Sequence, residues 1–443
     1  MNRTQRQVIV STRLGKIAEV ARNHPGEALT TLSHHIDVEL LYEAWRRTRK
    51  NGAVGIDGQT AAEYKQDLYE NLKALCDRFH QGTYRAPAVR RVHIPKGKGK
   101  TRPIGIPTLE DKILQRAVAM VLDAVYEQDF EDCSYGFRPE RSAHDALTQV
   151  RDSLMSMKGG YVIDMDISAF FDSLSHAKLR EFLDHRVRDG VIRRMIDKWL
   201  KAGISEDGKL RFPEEGTPQG GVVSPILANV FLHHVLDKWF VDDVQPRMCG
   251  RTTLTRFADD AIIICEREDD LQRIMQVLSK RFARFSLKLH PDKTKVIAFQ
   301  RPPYRKPQEG DEPDDRPDTF NFLGFTHFWA RSRRGYWVVK QKTMSSRLSR
   351  GIVSIGEWCR NHRHRPITEQ HRMLKRKLRG HYNYYGIIGN SRSIADYYHQ
   401  VKRLWQKWLN RRAQGRHMPW DKFNLLLRRY PLPLPRIMHE AQT

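Results

Sequence analysis

Cysteine is scarce in this sequence, and its placement supports neither disulfides nor a zinc module. The 443-residue chain contains five cysteines, an odd number, and no two of them are separated by only two residues. Structural zinc sites and redox motifs are commonly built on such Cys-x-x-Cys pairs. The sequence therefore gives little support for a disulfide framework or a zinc site.

Long apolar runs are missing as well. The longest stretches, such as residues 261–265, are only as long as a strand, whereas a membrane-spanning helix needs roughly 18 apolar residues in succession. The N-terminal segment has no apolar core followed by a small-residue cleavage site. The composition is 40% hydrophobic and 29% charged, which indicates a globular protein of about two or three domains. We expect it in the cytoplasm, without a membrane partner.

Acidic residues are scarce only in the last quarter of the chain. Residues 331–443 contain 26 lysines and arginines against 5 aspartates and glutamates, while residues 1–330 contain 51 against 47. A charge that served solubility alone would be spread along the chain, so this concentration indicates one surface that meets a polyanion. A nucleic acid is favoured over a membrane, because the aromatic residues of this region follow helical patterns rather than a purely apolar face.

Patterns of apolar and turn-forming residues predict an α+β protein. The first 80 residues suggest helices separated by turns, and residues 84–107 suggest an extended, basic hairpin whose glycines form a flexible tip. Apolar residues from Ile113 onward recur at helical spacing. A strand is predicted at residues 161–167, and a helical stretch follows it to about residue 204.

The second half of the chain continues this alternation. Ser224 and Pro225 are expected to begin a helix, with the serine as its cap. Residues 254–265 predict two strands joined by a turn, and residues 302–318 form an acidic, proline-rich loop. After residue 325 the chain is predicted to be helical and basic. The last clear helix is predicted to place its apolar residues on one side: Ile394, Tyr397, Val401, Leu404, Trp405 and Trp408.

Three aspartates at strand ends are the chief candidates for chemistry. Asp259 and Asp260 are adjacent in the predicted turn, and Asp166 ends another apolar strand. Neighbouring carboxylates repel one another and lose hydration when buried, unless a cation or water meets them. Taken alone, the adjacent aspartates Asp259 and Asp260 are better explained as a turn exposed to solvent than as a metal site. A second strand-end carboxylate from a distant part of the chain is what a two-metal phosphoryl-transfer centre needs, although spacing leaves their convergence open.

Eight short motifs carry a family resemblance. In chain order they are GAVGIDG (52–58), IPK (94–96) with RPIGIP (102–107), YGFRP (135–139), DISAFFD (166–172), GTPQGG (216–221) with SP (224–225), FADD (257–260), LHPDKT (289–294) and FLGF (322–325). Each is weak alone, but the order and the span from about residue 40 to about 412 are specific. The sequence resembles the reverse transcriptase/maturases encoded by bacterial group II introns.

The resemblance implies a right-hand polymerase with fingers, a palm built on an antiparallel sheet, and an α-helical thumb/maturase domain. Residues 1–160 would form an N-terminal extension and the fingers, with further finger elements in about 175–220. Residues 161–330 would form the palm, and residues 331–443 the basic thumb/maturase domain.

The same resemblance implies a set of catalytic residues. Asp166 and Asp259 would hold two Mg²⁺ ions, for which Mn²⁺ can substitute, Asp260 would complete the triad, and the Ile167 carbonyl would be a backbone ligand. Lys293 matches a lysine proposed as the general acid for the leaving pyrophosphate.

Four further residues match the family's nucleotide-binding positions. Lys96 and Arg102 would grip the triphosphate of the incoming nucleotide, and Phe171 would close the space beside the sugar C2′ so that a ribonucleotide is excluded. Gln219 would pack beneath the nucleotide. The segment Gly99-Lys100-Thr101 also resembles the end of a phosphate-binding P-loop. That motif is rejected, because it needs a glycine where the sequence has Ile94.

The expected function is RNA-directed DNA synthesis from a DNA or RNA primer with deoxynucleoside triphosphates, together with binding of intron RNA to assist splicing and retrotransposition. Two alternatives remain open: a splicing cofactor with a vestigial polymerase centre, and a domesticated enzyme of DNA repair or phage defence. Phe257 and Ser168 depart from the tyrosine and lysine usual in the family. The sequence shows no cysteine/histidine-bearing endonuclease domain, so second-strand DNA cleavage is not expected.

Overall fold

A computed structural model of the chain describes residues 3–97, 100–206, 209–212, 216, 220–302, 318–412 and 418–439. Only residues 302 and 318 of the predicted acidic loop belong to this set. Gln219 and the tip of the predicted hairpin, residues 98 and 99, lie outside it.

Helices dominate the described residues. The α-helices are α1 (Arg3–Asn23), α2 (Val38–Arg47), α3 (Ala61–Tyr64), α4 (Leu68–His80), α5 (Leu109–Tyr126), α6 (Ala143–Ser156), α7 (His176–Asp184), α8 (Gly190–Leu200), α9 (Ser224–Leu232), α10 (Glu268–Ala283), α11 (Ser345–Asn361), α12 (Ile367–Tyr385), α13 (Ser391–Leu409) and α14 (Trp420–Arg429).

The strands are shorter and fall into several sheets. They are β1 (Val89–Gly97), β2 (Lys100–Ile106), β3 (Gly159–Met165), β4 (Ile204–Glu206), β5 (Lys209–Arg211), β6 (Thr252–Phe257), β7 (Asp260–Cys265), β8 (Lys295–Gln300), β9 (Phe320–Phe322), β10 (Phe325–Arg331) and β11 (Trp337–Thr343). This mixture of helices and largely antiparallel strands confirms the predicted α+β class.

The chain divides into two compact units. The first comprises Met1–Ala143, Met165–Ile263 and Arg267–Thr294, and the second comprises His144–Asp164, Ile264–Glu266 and Lys295–Thr443. The domain boundaries predicted at residues 160 and 330 stay a prediction.

The first unit is built around α5, which is apolar on most of its circumference and therefore buried. Its N-terminus is capped by Thr108, whose side chain accepts a hydrogen bond from the Asp111 N–H. Helices α1 and α2 pack against it. Nearby, four strands form a sheet in the order β2-β1-β4-β5, in which β1 is antiparallel to β2 and parallel to β4. The predicted basic hairpin is confirmed as β1 and β2.

Helix α9 begins as its sequence predicts, but the expected serine cap is wrong. Val223 is the N-cap residue, and Ser224 is already the first residue of the helix, followed by Pro225. Proline is favoured at this end because the N–H that it lacks would have no helical partner. The same helical path continues into two π-helical turns, His233–Asp237 and Phe240–Val244.

The second unit combines antiparallel strands with a helical core. Strand β3 pairs with β8, and β9, β10 and β11 form a sheet of their own. The predicted apolar side of α13 is confirmed, since Ile394, Tyr397, Val401 and Trp405 are buried. The helical prediction beyond residue 325 is wrong for β10 and β11, because buried and more exposed residues alternate there as they do in a strand. Helix α14 lies within the region predicted to be helical, and its Phe423 joins the same core.

Within the described part of the chain, no helix has the length and apolar character that crossing a membrane would require.

Trp405 tests the core of the second unit. It is fully buried, and its indole N–H donates to the Gln370 amide oxygen at 3.0 Å. Trp405→Ala should lower the free energy of unfolding by about 3–5 kcal/mol in urea denaturation, because it leaves a cavity and an unpaired amide. Val353→Ala, at a side chain that is 59% exposed in α11, is the control and should change stability by less than about 0.5 kcal/mol. Equal effects would show that this core is loosely packed.

Candidate active site

The turn between β6 and β7 presents the two adjacent aspartates. Ala258 adopts a left-handed conformation with φ of 57°, which is costly for a residue with a side chain and persists only when neighbouring structure enforces it. Ala258 is buried, whereas Asp259 is half-buried and Asp260 is exposed. The predicted strand–turn–strand arrangement is therefore confirmed, and its carboxylates reach the surface.

A second segment of chain lies directly against this turn. The Tyr135 N–H donates to the Arg256 carbonyl at 2.8 Å, and the Arg256 N–H donates to the Cys133 carbonyl at 2.7 Å. A Cβ on Gly136 would lie 2.3 Å from the Ala258 nitrogen. Only glycine permits this approach, which explains the glycine of the YGFRP motif.

Arg256 connects the turn to the interior. Its guanidinium is fully buried and forms an ion pair with Asp237, at 2.5 and 2.6 Å. The remaining N–H groups donate to three acceptors: the Asn229 side-chain oxygen at 3.0 Å, the Ser134 hydroxyl at 2.7 Å and the Ala258 carbonyl at 3.0 Å. Because the guanidinium is a planar fork with several donors, one side chain can hold all of these groups.

Sequence reasoning missed this network, although a signal for it was present. Arg256 stands inside a strand that otherwise reads as buried, and a buried arginine needs a partner. Two of its partners are Asn229 on α9 and Asp237 on the π-helical turn that follows. The Asn229 amide nitrogen also donates to the Gly136 carbonyl at 2.8 Å. Turns of π-helix are rare and are frequently found at functional sites.

The third predicted aspartate is paired with the predicted general acid. Both carboxylate oxygens of Asp166 lie 2.9 Å from the Lys293 ammonium. The segments that carry them run side by side, because the His290 N–H donates to the Asp166 carbonyl and the Ser168 N–H to the Lys288 carbonyl, both at 2.8 Å. Ile167 pairs with Leu289 in an isolated antiparallel bridge. The structure thus brings together Asp166, Ile167 and Lys293.

The three aspartates do not form one cluster in the structure. Among the residues that the structure describes, no three His, Cys, Asp or Glu side chains form a group that could hold a metal ion. The chemistry of the donors nevertheless suits a hard divalent cation, which prefers carboxylate and carbonyl oxygens. Asp166 has the Lys293 ammonium as its counter-charge.

The predicted finger residues lie on the β1–β2 hairpin. Arg102 is exposed and lies opposite Ile94 in the antiparallel register. The register shifts between Pro95 and Gly97, so Lys96 occupies a bulge in β1. Such a bulge redirects the backbone at one residue, and bulges are common beside functional sites.

Close backbone contacts connect the GTPQGG segment to two other predicted elements. A Cβ on Gly216 would lie 2.7 Å from the Phe171 carbonyl oxygen, and a Cβ on Gly220 would lie 2.4 Å from the Gly105 carbonyl oxygen of β2. Both glycines have positive φ, 86° and 113°. Gln219 lies outside the described residues, but Gly216 and Gly220, which precede and follow it in the sequence, lie against the Phe171 segment and the finger hairpin.

A buried network holds the chain that follows this segment. The Gln115 side-chain oxygen accepts from the Val222 and Val223 N–H groups at 2.6 and 3.3 Å, and its amide nitrogen donates to Asp111 at 2.8 Å. Asp111 also accepts from the Trp199 indole at 2.7 Å. Burial raises the pKa of Asp111 to about 6, while these donors act in the opposite direction.

Comparison with known proteins defines the class. Residues 94–327 match the family described as reverse transcriptase (RNA-dependent DNA polymerase), which is more than half of the chain and includes all the predicted site residues. The chain therefore belongs to the reverse transcriptase family and is an RNA-directed DNA polymerase by class, as the motifs predicted.

Individual relatives narrow the assignment. The chain is 33% identical to protein YkfC of Escherichia coli strain K12 over 364 residues, covering 74% of this chain and 91% of YkfC. It is 35% identical to the group II intron-encoded protein LtrA of Lactococcus lactis subsp. cremoris over 231 residues, but this covers 51% of this chain and only 38% of LtrA. A 91 kDa protein in the cob intron of Schizosaccharomyces pombe is 33% identical over 220 residues, covering 48% of this chain and 27% of that protein. These matches confirm the predicted resemblance to group II intron reverse transcriptase/maturases.

Arg256→Lys tests the support of the Asp259 turn. Lysine keeps the charge but cannot reach Asp237, Asn229 and Ala258 together, so the free energy of unfolding should fall by about 3 kcal/mol in urea denaturation. The matched control is Arg247→Lys, whose arginine is 77% exposed and 4.0 Å from Asp243, and which should be nearly neutral. If both substitutions left the free energy of unfolding unchanged, the buried Arg256 guanidinium would not be what stabilises this turn.

Proposed function

We propose that this reverse transcriptase extends a primer on an RNA template by two-metal nucleotidyl transfer at Asp166, Asp259 and Asp260. The observation that carries the proposal is the turn at Asp259. A buried arginine and a close glycine contact hold its backbone in a costly conformation, and both aspartates remain accessible. A strained backbone conformation at an accessible acidic turn is typical of active sites, where the strain holds functional groups in position.

The metal ligands in this proposal are the three aspartates and the Ile167 carbonyl, with two Mg²⁺ ions or Mn²⁺ in their place. When bound, such ions activate the primer 3′-hydroxyl and neutralise charge on the leaving pyrophosphate. The protein's own part is to supply oxygen donors from two separate segments, each fixed by backbone hydrogen bonds. Asp259 and Asp260 lie in the β6–β7 turn, and Asp166 lies in the segment held by His290.

Lys293 has two roles in the proposed mechanism. In the structure its ammonium balances the Asp166 carboxylate. Its side chain is 52% exposed, so it can turn toward a bound triphosphate when that carboxylate takes another partner. There the ammonium would hold, and then transfer, the proton that the departing pyrophosphate needs.

The nucleotide itself would be gripped by Lys96 and Arg102, covered on the sugar side by Phe171 and supported by Gln219. The glycine contacts described above support this arrangement, since Gly216 lies against the Phe171 backbone and Gly220 against the Gly105 backbone of the hairpin. Close backbone contacts at Gly216 and Gly220 reduce the ordering that nucleotide binding requires of these two segments.

The template, the primer and the intron RNA would be bound by the basic helices of residues 331–443, the predicted thumb/maturase domain. Several arginines there are exposed on α11 and α12: Arg347, Arg350, Arg360, Arg372, Arg376 and Arg379. Phosphate contacts of this kind release counterions, so affinity should fall steeply as salt rises. A location in the bacterial cytoplasm belongs to the same proposal.

The two alternatives differ in what they require of the chain. A splicing cofactor with a vestigial centre would bind RNA without extending a primer, whereas a domesticated enzyme of repair or defence would extend a primer without an intron around its gene. Primer extension on an RNA template with Mg²⁺ decides the first, and the presence of a foldable intron in the flanking nucleotide sequence decides the second. Absence of any product over a range of salt and metal concentrations would refute the proposed polymerase.

Asp259→Ala separates catalysis from RNA binding. The variant should lose primer extension by about 10³-fold or more, because it removes a carboxylate proposed to hold both metal ions. Its affinity for structured RNA, measured by filter binding, should stay within about twofold of the wild type. Asp152→Ala, at an exposed aspartate of α6, is the control and should retain activity. Loss of both extension and RNA binding would point to a structural role for Asp259.

Phe171→Ala tests the proposed sugar gate. The Phe171 ring packs edge-on against Phe170 with centroids 5.2 Å apart and is half-buried. Removing it should allow ribonucleotides to be incorporated more efficiently relative to deoxynucleotides, by about tenfold or more in the ratio of kcat/KM. Phe170→Leu, at the buried neighbouring ring, controls for a general loosening of the core. If Phe171→Ala left this kcat/KM ratio unchanged, Phe171 would not be the residue that excludes ribonucleotides.

A further inference from the structure

Phe137 combines two unfavourable features. Its backbone is left-handed, with φ of 60°, and its large apolar side chain is 59% exposed. An exposed aromatic ring alone is ordinary on a protein surface. A left-handed conformation in a bulky residue that is not glycine is a genuine outlier, and such outliers cluster where they serve function.

The residues on both sides hold Phe137 in place. Gly136 touches the Ala258 backbone and its carbonyl accepts from Asn229. On the other side, the buried Arg138 guanidinium pairs with Glu127 at 2.7 Å and donates to the Glu131 and Ser134 carbonyls at 2.6 and 2.9 Å. The exposed ring is therefore mounted on rigid backbone.

The ring lies next to the catalytic turn. Its centroid is 6.4 Å from that of Phe257, the residue that begins the FADD motif, and the planes are inclined by 39°. Phe257 is half-buried, so the two rings form a small apolar surface beside the turn that carries Asp259. Under the proposed function, the substrate component that must end beside this turn is the 3′ nucleotide of the primer.

We propose that Phe137 is a primer-binding residue that contacts the base of the 3′-terminal primer nucleotide, with Phe257 as the second wall of the contact. This inference rests on the proposed function. Aromatic side chains stack on nucleic-acid bases irrespective of sequence, because every base has a π-face. The rigid mounting keeps the ring available without an ordering cost, which is how such a contact improves affinity.

The test uses the full-length protein and compares Phe137→Asn and Phe137→Gly with Phe137→Tyr. Asparagine and glycine tolerate the left-handed conformation but remove the ring, whereas tyrosine keeps it. The dissociation constant for an RNA-template/DNA-primer duplex is measured by fluorescence anisotropy, with an ordinary primer and with one that lacks its 3′-terminal base. Thermal melting reports folding, and single-nucleotide extension gives the KM for the deoxynucleoside triphosphate.

Phe137→Asn and Phe137→Gly should bind the ordinary primer about tenfold more weakly than the wild type, in the range of base–aromatic stacking. Phe137→Tyr should stay within about twofold of the wild type. On the primer without its terminal base the difference should disappear, and the melting temperatures should not fall. The KM for the nucleotide should be unchanged.

Unchanged affinity for the ordinary primer in both ring-deleted variants would overturn the inference. So would a loss of equal size on the base-free primer, which would indicate a contact elsewhere, or a change confined to the nucleotide KM, which would place the ring against the incoming nucleotide. If one ring-deleted variant fails to fold, the other carries the same expectation. A wild-type protein that cannot extend any primer would instead refute the proposed function, so the two failures are distinguishable.

Discussion

The buried ion pair between Arg256 and Asp237 is the interaction on which the candidate active site depends. Taking both charges out of water costs several kcal/mol for each, and the cost is offset only if every remaining donor and acceptor finds a partner. Here Asn229, Ser134 and the Ala258 carbonyl complete the set. The pair therefore joins the helix that begins at Ser224, the segment before Gly136 and the turn at Asp259 into one unit. Displacing any of these elements would leave a buried charge unpaired.

Close approaches of backbone extend this constraint to the elements that are proposed to bind the nucleotide. At Gly136, Gly216 and Gly220 a single added carbon would collide with neighbouring backbone. Segments distant in sequence are thus held at contact distance without intervening side chains. Chemistry that depends on sub-ångström placement of substrate benefits from such stiffness, because little ordering remains to be done when the substrate binds. Lys293 and Arg102, which are proposed to contact the nucleotide, lie exposed at the surface.

Sequence patterns predicted the elements better than their connections. The β6–β7 turn, the β1–β2 hairpin and helix α13 follow from apolar periodicity and turn residues, which are local signals. The serine cap of α9 was wrong because Val223 occupies the cap position, one residue earlier than the sequence suggests. Arg256 was missed because its side-chain partners Asp237, Asn229 and Ser134 are 19 to 122 residues away, and periodicity contains no information on such pairings. The left-handed backbone of Phe137 was equally invisible, since phenylalanine gives no local preference for it. The roles of Asp166, Asp259 and Asp260 came from the motifs they share with a family, and they remain a proposal.

The central claim is that these three aspartates hold two catalytic metal ions during RNA-directed DNA synthesis. The most direct measurement is anomalous scattering from Mn²⁺ in crystals of the protein with an RNA template, a primer lacking its 3′-hydroxyl and the next deoxynucleoside triphosphate. The account predicts two manganese peaks about 4 Å apart, bound by Asp166 and Asp259, with Asp260 beside them. A nucleotide bound with no manganese at these residues, or with manganese held elsewhere in the chain, would contradict it.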